Sequence, residues 1–352
     1  MDNAISVVIP THNRAGVVPR AVKSALAAVA PGDEVIVVDD GSTDSTAEAL
    51  KPFYDNIRYF YQANSGPGPA RNRGIQLANN PLIAFLDSDD EWFPDKLYLQ
   101  RAAMDKFPDL VFCFTNVLAK CANGEIVHNI IDFWRCDEKV GYRHAHTSVA
   151  ELLGSGLPFS SIAPLPPGRA DFDVHTGGLY ASLMESYSAW TCSIVARRRL
   201  AGSSLYFTNE RLCEDWECFA RLAKIGNAAY LNCEAAVQQV HTDARLTDAS
   251  DIEHATARIK LLTEVWGRDE RFLERYSHRY QSVLKAQHLR RARHLLNDGR
   301  VADAKEDLKV VGSWYRLLAT LPSAAIRACI DVRRGLRAAL TKNSGSHSSV
   351  RV

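Results

Sequence analysis

The apolar run Leu82-Ile83-Ala84-Phe85-Leu86 stops at three carboxylates, Asp87, Asp89 and Asp90. Carboxylates this close repel one another unless a cation sits between them. Asp87-Ser88-Asp89 is therefore a candidate seat for Mg²⁺ or Mn²⁺ shared with substrate phosphates. The competing reading is an acidic strand-to-helix loop in which Asp90 or Asp95 caps the next helix. A second acidic pair, Asp39-Asp40, ends the run Glu34–Val38, and the polar residues Thr11 to Arg14 follow the run Ser6–Pro10. A third group, Glu214, Asp215 and Glu217, stacks at the start of a helical segment. The helix dipole favours acids there, so simple capping competes with any chemical role.

These groups can act together only if the chain folds their loops onto one face. Ser6–Pro10, Glu34–Val38, Ile57–Tyr61, Leu82–Leu86 and Leu110–Leu118 are short apolar runs, as buried parallel strands are. Between them, Val17–Val29, the segment after Thr43, Ala70–Ala78 and Pro94–Phe107 have helical spacing, the last with Pro in its first turn. Alternating strand and helix predicts an α/β fold with a doubly wound sheet, whose ligands lie beyond the carboxyl ends of the strands. Thr11/Asn13, Asp39/Asp40, Asn64/Gly66 and Asp87/Asp89 then converge. Further on, Asn123-Gly124 predicts a hairpin, and Thr147–Leu153 a short helix. Pro158–Gly178, rich in Pro, Gly and Ser, predicts a long mobile loop, either a lid or acceptor-binding segment or an exposed insertion. Trp190–Ala196 predicts a strand followed by the basic turn Arg197-Arg198-Arg199. A helix is expected from Glu214 to Ile225, then two strands, Ala228–Leu231 and Ala236–Val240, ending at His241.

The chain of 352 residues is 46% hydrophobic and 24% charged, which suits one large α/β domain plus an appendage. Its net charge of +1 hides an asymmetry. Residues 1–250 carry 22 Lys and Arg against 30 Asp and Glu, whereas residues 251–352 carry 20 against 11. A basic tail behind an acidic body suggests an anionic surface or partner for the tail, with a solvated helical face as the alternative. The eight cysteines are scattered without the close pairs of a zinc site, and fit buried free thiols in a reducing cytoplasm. Met1-Asp2-Asn3 lacks the basic start of a secretory leader, and no apolar run is long enough to cross a bilayer. From Asp251 the pattern is helical, with a hairpin turning at Asn297-Asp298-Gly299. Trp314–Leu340 interleaves apolar residues with arginines, as a membrane-surface helix pair or a packing element would, and Thr341–Val352 reads as disordered.

Five pieces then occur in order: Val-Val-Ile-Pro-Thr-His-Asn-Arg, Val-Val-Asp-Asp-Gly-Ser-Thr-Asp, Asn-Ser-Gly-Pro-Gly-Pro-Ala-Arg-Asn-Arg-Gly, Phe-Leu-Asp-Ser-Asp-Asp and Glu-Asp-Trp-Glu. Together they resemble the family 2 glycosyltransferases, inverting enzymes of the GT-A fold. The resemblance implies a catalytic domain over residues 1–245 with a mixed sheet; the shared motifs do not extend to the rest, which the sequence pattern divides into a helical region over 246–340 and a tail over 341–352. It implies a nucleotide-sugar donor, UDP-linked by family frequency, held by Pro10, Thr11, Arg14, Asp39, Asp40, Gly66, Arg71, Asp87, Ser88 and Asp89. Asp87 and Asp89 correspond to the family's DxD motif, with Asp89 on a Mg²⁺ or Mn²⁺ ion and Asp87 on ribose or on water bound to that ion. Asp215 matches the catalytic base, Glu214 would position donor or acceptor, and His241 falls where some relatives place a metal or diphosphate contact, although a lone His is more often structural.

Two departures narrow the expectation. The approach to Glu214-Asp215 reads Asn-Glu-Arg-Leu-Cys in place of the usual small residues, which leaves acceptor preference open. Gln-x-x-Arg-Trp is absent, which argues against a processive synthase and for an enzyme adding one sugar to a glycan or lipid-linked acceptor. It would sit in the cytoplasm, with peripheral contact to the inner face of the plasma membrane through its basic helices and no nucleic-acid partner. A non-catalytic nucleotide-sugar-binding scaffold and a nucleotidyltransferase remain as alternatives. The second expects a Gly-rich basic loop after the first strand, which Pro10-Thr11-His12-Asn13-Arg14 is not.

Overall fold

Short runs of Val, Ile and Leu form the centre of the protein because a strand covered on both faces needs apolar residues at every position. The computed structural model describes residues 3–136, 147–239, 248–312 and 325–326. It divides into two compact units, residues 1–246 and 247–352. The first begins β1 (Ile5–Thr11), α1 (Val18–Ala28), β2 (Glu34–Asp40), α2 (Thr46–Leu50), β3 (Arg58–Gln62), α3 (Pro67–Leu77) and β4 (Leu82–Phe85). It continues with β5 (Glu91–Trp92), α4 (Lys96–Lys106), β6 (Phe112–Lys120), β7 (Ile126–Val127), α5 (Ile130–Cys136) and α6 (Val149–Leu153). It is completed by β8 (Leu157–Pro158), β9 (Asp173–Gly177), α7 (Tyr180–Leu183), β10 (Ile194–Arg197), α8 (Arg198–Ala201), α9 (Glu214–Ile225) and β11 (Ala228–Gln239).

The sheet runs β3-β2-β1-β4-β10-β6-β11-β9-β8. β3, β2, β1 and β4 are mutually parallel. β10 runs antiparallel between β4 and β6, and β11 resumes the parallel direction beside β6. The α/β expectation and its mixed sheet therefore hold. From β1 the chain winds outward through β2 to β3, then returns on the other side of β1 as β4. That reversal opens a crevice at the carboxyl ends of β1 and β4, where α/β sheets bind ligands. α3 lies tight against the sheet. A methyl group on Gly74 would come within 2.2 Å of Val8 Cγ1.

Several elements depart from the sequence expectation. α4 starts at Lys96, after Pro94, and Asp95 at its N-cap position makes no side-chain cap. Its carboxylate instead takes a bidentate contact from Arg169, at 2.5 and 2.7 Å. The segment expected as a mobile loop at 158–178 carries β8 and β9, the latter paired with β11 along Ala228–Leu231. Its polar sequence conceals a strand because it lies near the sheet edge. The two strands expected after residue 228 are one, bent by irregularities at Leu231/Glu234 and Glu234/Ala236. β10 starts at Ile194, behind a 3₁₀ turn at Thr191–Ser193. Arg197 ends this strand, buried, and donates to the carbonyls of Met104 and Leu110 rather than sitting in an exposed turn. Cys121, Cys213 and Cys233 are only partly buried, whereas Cys113, Cys192 and Cys218 lie inside.

Lys96 is fully buried, with its ammonium nitrogen 4.1 Å from the Trp92 ring centroid and bonded to Gln100. Burial pulls its pKa down to about 7. The unfolded chain therefore holds a proton between pH 7 and 10.5 that the folded chain lacks, so stability rises with pH across that window. Lys96→Met is expected to melt at least a few degrees higher at pH 7 and to lose that slope. Melting curves at pH 7, 8.5 and 10 check this; an unchanged slope would contradict it.

The second unit contains α10 (Asp251–Leu261), α11 (Glu270–Asn297) and α12 (Val301–Val311). Ser250 and Glu253 form a reciprocal capping box at the start of α10. The expected hairpin is present, with Gly299 at φ +76° in the turn between α11 and α12. Ala292, Leu295, Leu296, Ala304, Leu308 and Ile326 make its core. Beside that core, buried Asp307 accepts from Arg291 and His288. Among the described residues, no helix is long and apolar enough to cross a membrane. Of the segment 314–340 only residues 325–326 are described, and the tail 341–352 lies outside the described residues.

Candidate active site

The loops after β1 and β2 are joined by a small set of side chains. Asn13, held at φ +50°, accepts from the backbone N–H groups of Thr43 and Asp44. Thr46 accepts from Arg14 N at 2.9 Å. Pro10 and Thr11 are buried at the end of β1, and the Thr11 hydroxyl has no hydrogen-bond partner among the described residues. Asp39 accepts from Ser42 N at 2.8 Å and from the Tyr59 hydroxyl at 2.6 Å. Asp40 accepts from Gln62, Ser65 N and Gly66 N. Both carboxylates, expected to face a nucleoside, thus have internal partners. Asp40 pins the loop whose Gly66 adopts φ +96° just before α3.

Arg71 was expected to offer its charge to a diphosphate or nucleoside. It is instead buried, and its two terminal nitrogens are committed to carboxylates. One donates to Asp87 Oδ1 at 2.7 Å, the other to Glu214 Oε1 at 2.9 Å. Its guanidinium carbon lies 5.1 Å from the Phe207 ring centroid. Phe207, Phe85 and Phe219 pack edge-on or tilted beneath, tying β4, the approach to α9, and α9 itself together. One cation thus joins the acid-tipped end of β4 to the acid-tipped start of α9, residues 127 apart in sequence between Asp87 and Glu214.

The electrostatics follow from that crowding. Burial pushes the Glu214 carboxyl up to about 7, the neighbouring Asp215 adds to this, and Arg71 opposes it. Burial raises Asp87 as well, with Arg71 opposing and Asp89 adding. Asp90 is buried and raised further, by burial and then by Asp89 and Asp87. It does not cap a helix; it bonds the Cys192 thiol and accepts from Gln239 N. Ser88 is buried between these acids. Asp89 is only partly buried and sits 3.6 Å from Arg14.

Among the described residues, no three His, Cys, Asp or Glu side chains are grouped to hold a metal. His241 lies outside the described residues. Asp87 and Asp89 are hard oxygen donors whose mutual repulsion a divalent cation would relieve, so they fit Mg²⁺ or Mn²⁺ that takes its remaining ligands from substrate and water. They do not make a protein-only cage.

α9 begins at Glu214, as its sequence predicts, and stacks Glu214, Asp215 and Glu217 in its first turn. Cys213 before it is held at φ +64°. Asp215 Oδ2 accepts from the Tyr187 hydroxyl at 2.5 Å and the Thr191 hydroxyl at 3.1 Å, and Oδ1 from Trp216 N at 2.7 Å. No spacing marks Tyr187 or Thr191 in the sequence. Tyr187 lies in a mixed stretch with no motif, and Thr191 in the run Trp190–Ala196 that reads only as a strand.

Residues 6–159 match the family described as Glycosyl transferase family 2. Over those residues the chain is similar to glycosyl transferase family 2. Curated relatives agree. An uncharacterised glycosyltransferase of Rickettsia conorii is 37% identical over 131 residues, 37% of this chain and 22% of its own length. The succinoglycan biosynthesis protein ExoU of Rhizobium meliloti is 35% identical over 128 residues, 35% of this chain and 37% of its own. The chain thus aligns with about a fifth of the length of the first of these relatives. Among solved structures, residues 1–349 of S. aureus TarS in complex with UDP-GlcNAc superpose with a TM-score of 0.59 at 14% identity, covering 97% of this chain and 92% of that one. At that identity the likeness establishes the GT-A fold.

The glycosyl transferase family 2 match takes in Asp39, Asp40, Arg71, Asp87 and Asp89 but ends before Glu214 and Asp215. The Arg71 bridge joins Glu214, the residue before Asp215, to the acidic end of β4. Asn72, one residue on, braces the same approach by bonding both the N–H and the carbonyl of Phe207.

Proposed function

We propose that this protein transfers one sugar, with inversion, from a nucleoside-diphosphate sugar to a hydroxyl of a glycan or lipid-linked acceptor. UDP is the favoured nucleotide, and the likeness to the UDP-GlcNAc complex of TarS supports it. Similarity to ExoU supports a glycan under construction as the acceptor class. The observation that carries the reading is the single buried guanidinium holding Asp87 and Glu214 together. It brings a seat for a charged donor and a candidate base into one crevice.

In this reading Thr11, Arg14 and the Asp39 loop line the nucleoside end, and Asp87 and Asp89 hold a Mg²⁺ or Mn²⁺ ion. When bound, that ion offsets the negative charge gathering on the departing nucleoside diphosphate. Asp215 takes the proton from the acceptor hydroxyl as its oxygen attacks the anomeric carbon from the face opposite the leaving group. Glu214, held by Arg71, orients sugar or acceptor hydroxyls. Arg14 is near enough to Asp89 to exchange that carboxylate for a phosphate.

A panel of UDP-, dTDP- and GDP-sugars, assayed for release of the nucleoside diphosphate with and without Mn²⁺, tests the reading. Metal-dependent release from at least one is expected; binding without release from any would point to a scaffold. Asp89→Ala is expected to weaken UDP binding in the presence of Mn²⁺ by roughly tenfold or more, and to leave metal-free binding unchanged. Calorimetric titration of UDP reads both, and identical isotherms with Mn²⁺ would remove Asp89 from the metal site.

A further inference from the structure

We propose that Tyr187 and Thr191 are positioning residues that lock the Asp215 carboxylate so that Oδ1, and not Oδ2, receives the acceptor proton. The proposal rests on the reading of Asp215 as the base. Each carboxylate oxygen accepts about two hydrogen bonds. Oδ2 already has two donors, the Tyr187 hydroxyl at 2.5 Å and the Thr191 hydroxyl at 3.1 Å. Among the described residues Oδ1 has one, the N–H of Trp216 at 2.7 Å. A single acceptor position therefore remains on Oδ1, and an incoming hydroxyl can reach the carboxylate there without displacing a protein group.

The two donors are themselves fixed. The Tyr187 ring packs on Trp216 with centroids 5.1 Å apart, and the Trp216 indole N–H is bonded to Leu183 O at 2.8 Å. Thr191 is buried in the 3₁₀ turn that feeds β10. Tyr187, Thr191 and Trp216 thus grip the carboxylate from two separate stretches of chain. Burial, and then the charge of Asp215, hold the phenol well above its ordinary pKa, so it stays a donor at working pH. A carboxylate allowed to rotate about its Cβ–Cγ bond would present its free position in the wrong direction, and misplacement on the ångström scale costs about a hundredfold in rate.

The test uses the full chain, the nucleotide sugar released fastest in the panel, and Mn²⁺. Tyr187→Phe keeps the ring on Trp216 and removes only the hydroxyl. It is expected to lower kcat by about ten- to a hundredfold with donor KM within about twofold. Thr191→Val is expected to show a smaller loss of the same kind, and Thr191→Ser, which keeps the hydroxyl, to restore kcat to within about twofold of the unaltered chain. If Tyr187→Phe does not fold, the Thr191 pair carries the test alone. Full turnover in Tyr187→Phe and in Thr191→Val, alongside an inactive Asp215→Asn, overturns the lock and leaves the base in place. Turnover in Asp215→Asn overturns the base and the lock together.

Discussion

Asp215→Asn is expected to lower turnover by about 10²- to 10⁴-fold while UDP binding stays within about twofold of the unaltered chain. The substitution is close to isosteric, and the surroundings determine how the amide settles. Trp216 N–H is a backbone donor and cannot accept, so the amide oxygen must take the place of Oδ1. The amide nitrogen then falls at Oδ2, facing the Tyr187 and Thr191 hydroxyls, which can turn and accept. The fold is kept, but the oxygen left at Oδ1 belongs to a neutral amide and takes no proton. Turnover from nucleoside diphosphate release, with a UDP titration alongside, measures both halves of this expectation. Near-normal turnover would show that another group accepts the proton.

The second large effect is expected at Arg71. Arg71→Met removes one cation from between two carboxylates and leaves Glu214 buried without it. Breaking such a pair costs about 3–5 kcal/mol, and turnover should fall with it because the strand end and the helix start are no longer joined. Lysine should not rescue the loss, since one ammonium cannot present two parallel donors to two carboxylates as the planar guanidinium does. The pH dependence has a definite sign. Glu214 has a folded pKa of about 7, above its ordinary 4.5, so the folded chain binds extra protons between those values. Its contribution is fully present below pH 4.5 and lost as pH rises through 7. Without Arg71 the carboxyl is pushed higher still, so the deficit of the variant should be greatest above pH 7 and shrink toward pH 5. Melting temperatures of both chains from pH 5 to 8 test this, and a deficit that does not vary with pH would contradict it.

Much of the parallel half is legible in the sequence, because Val7–Pro10, Val35–Val38 and Leu82–Leu86 are apolar throughout and end in polar groups. Burial on both faces leaves that imprint on a sequence. α9 was legible to the residue, since Trp216, Phe219 and Leu222 keep helical spacing behind three acids. β9 was not, because a strand one place in from the sheet edge, reading Asp-Val-His-Thr-Gly, has almost no apolar pattern. The single β11 was missed because its bulges interrupt the alternation. At the site, acid clusters announced themselves, but their partners did not. Arg71 could be singled out as a cation, yet only the fold shows that both its terminal nitrogens are taken by Asp87 and Glu214. Tyr187, Thr191 and Asn72 act through contacts between distant segments, and nothing local in their surroundings distinguishes them.

The near-contact of Gly74 with Val8 has an effect at a distance from itself. Gly74 bears no functional group and lies a single helical turn, about 4.5 Å of axial rise, beyond Arg71. At that point the α3 backbone rests on β1 with no room for one methyl group. The rod is rigid, so this seat works as a fulcrum: any lift there would swing the guanidinium at the far end of the turn off one of its two acids. Placement of the most consequential charge in the crevice is thus inherited from a glycine of the same helix that carries no functional group of its own.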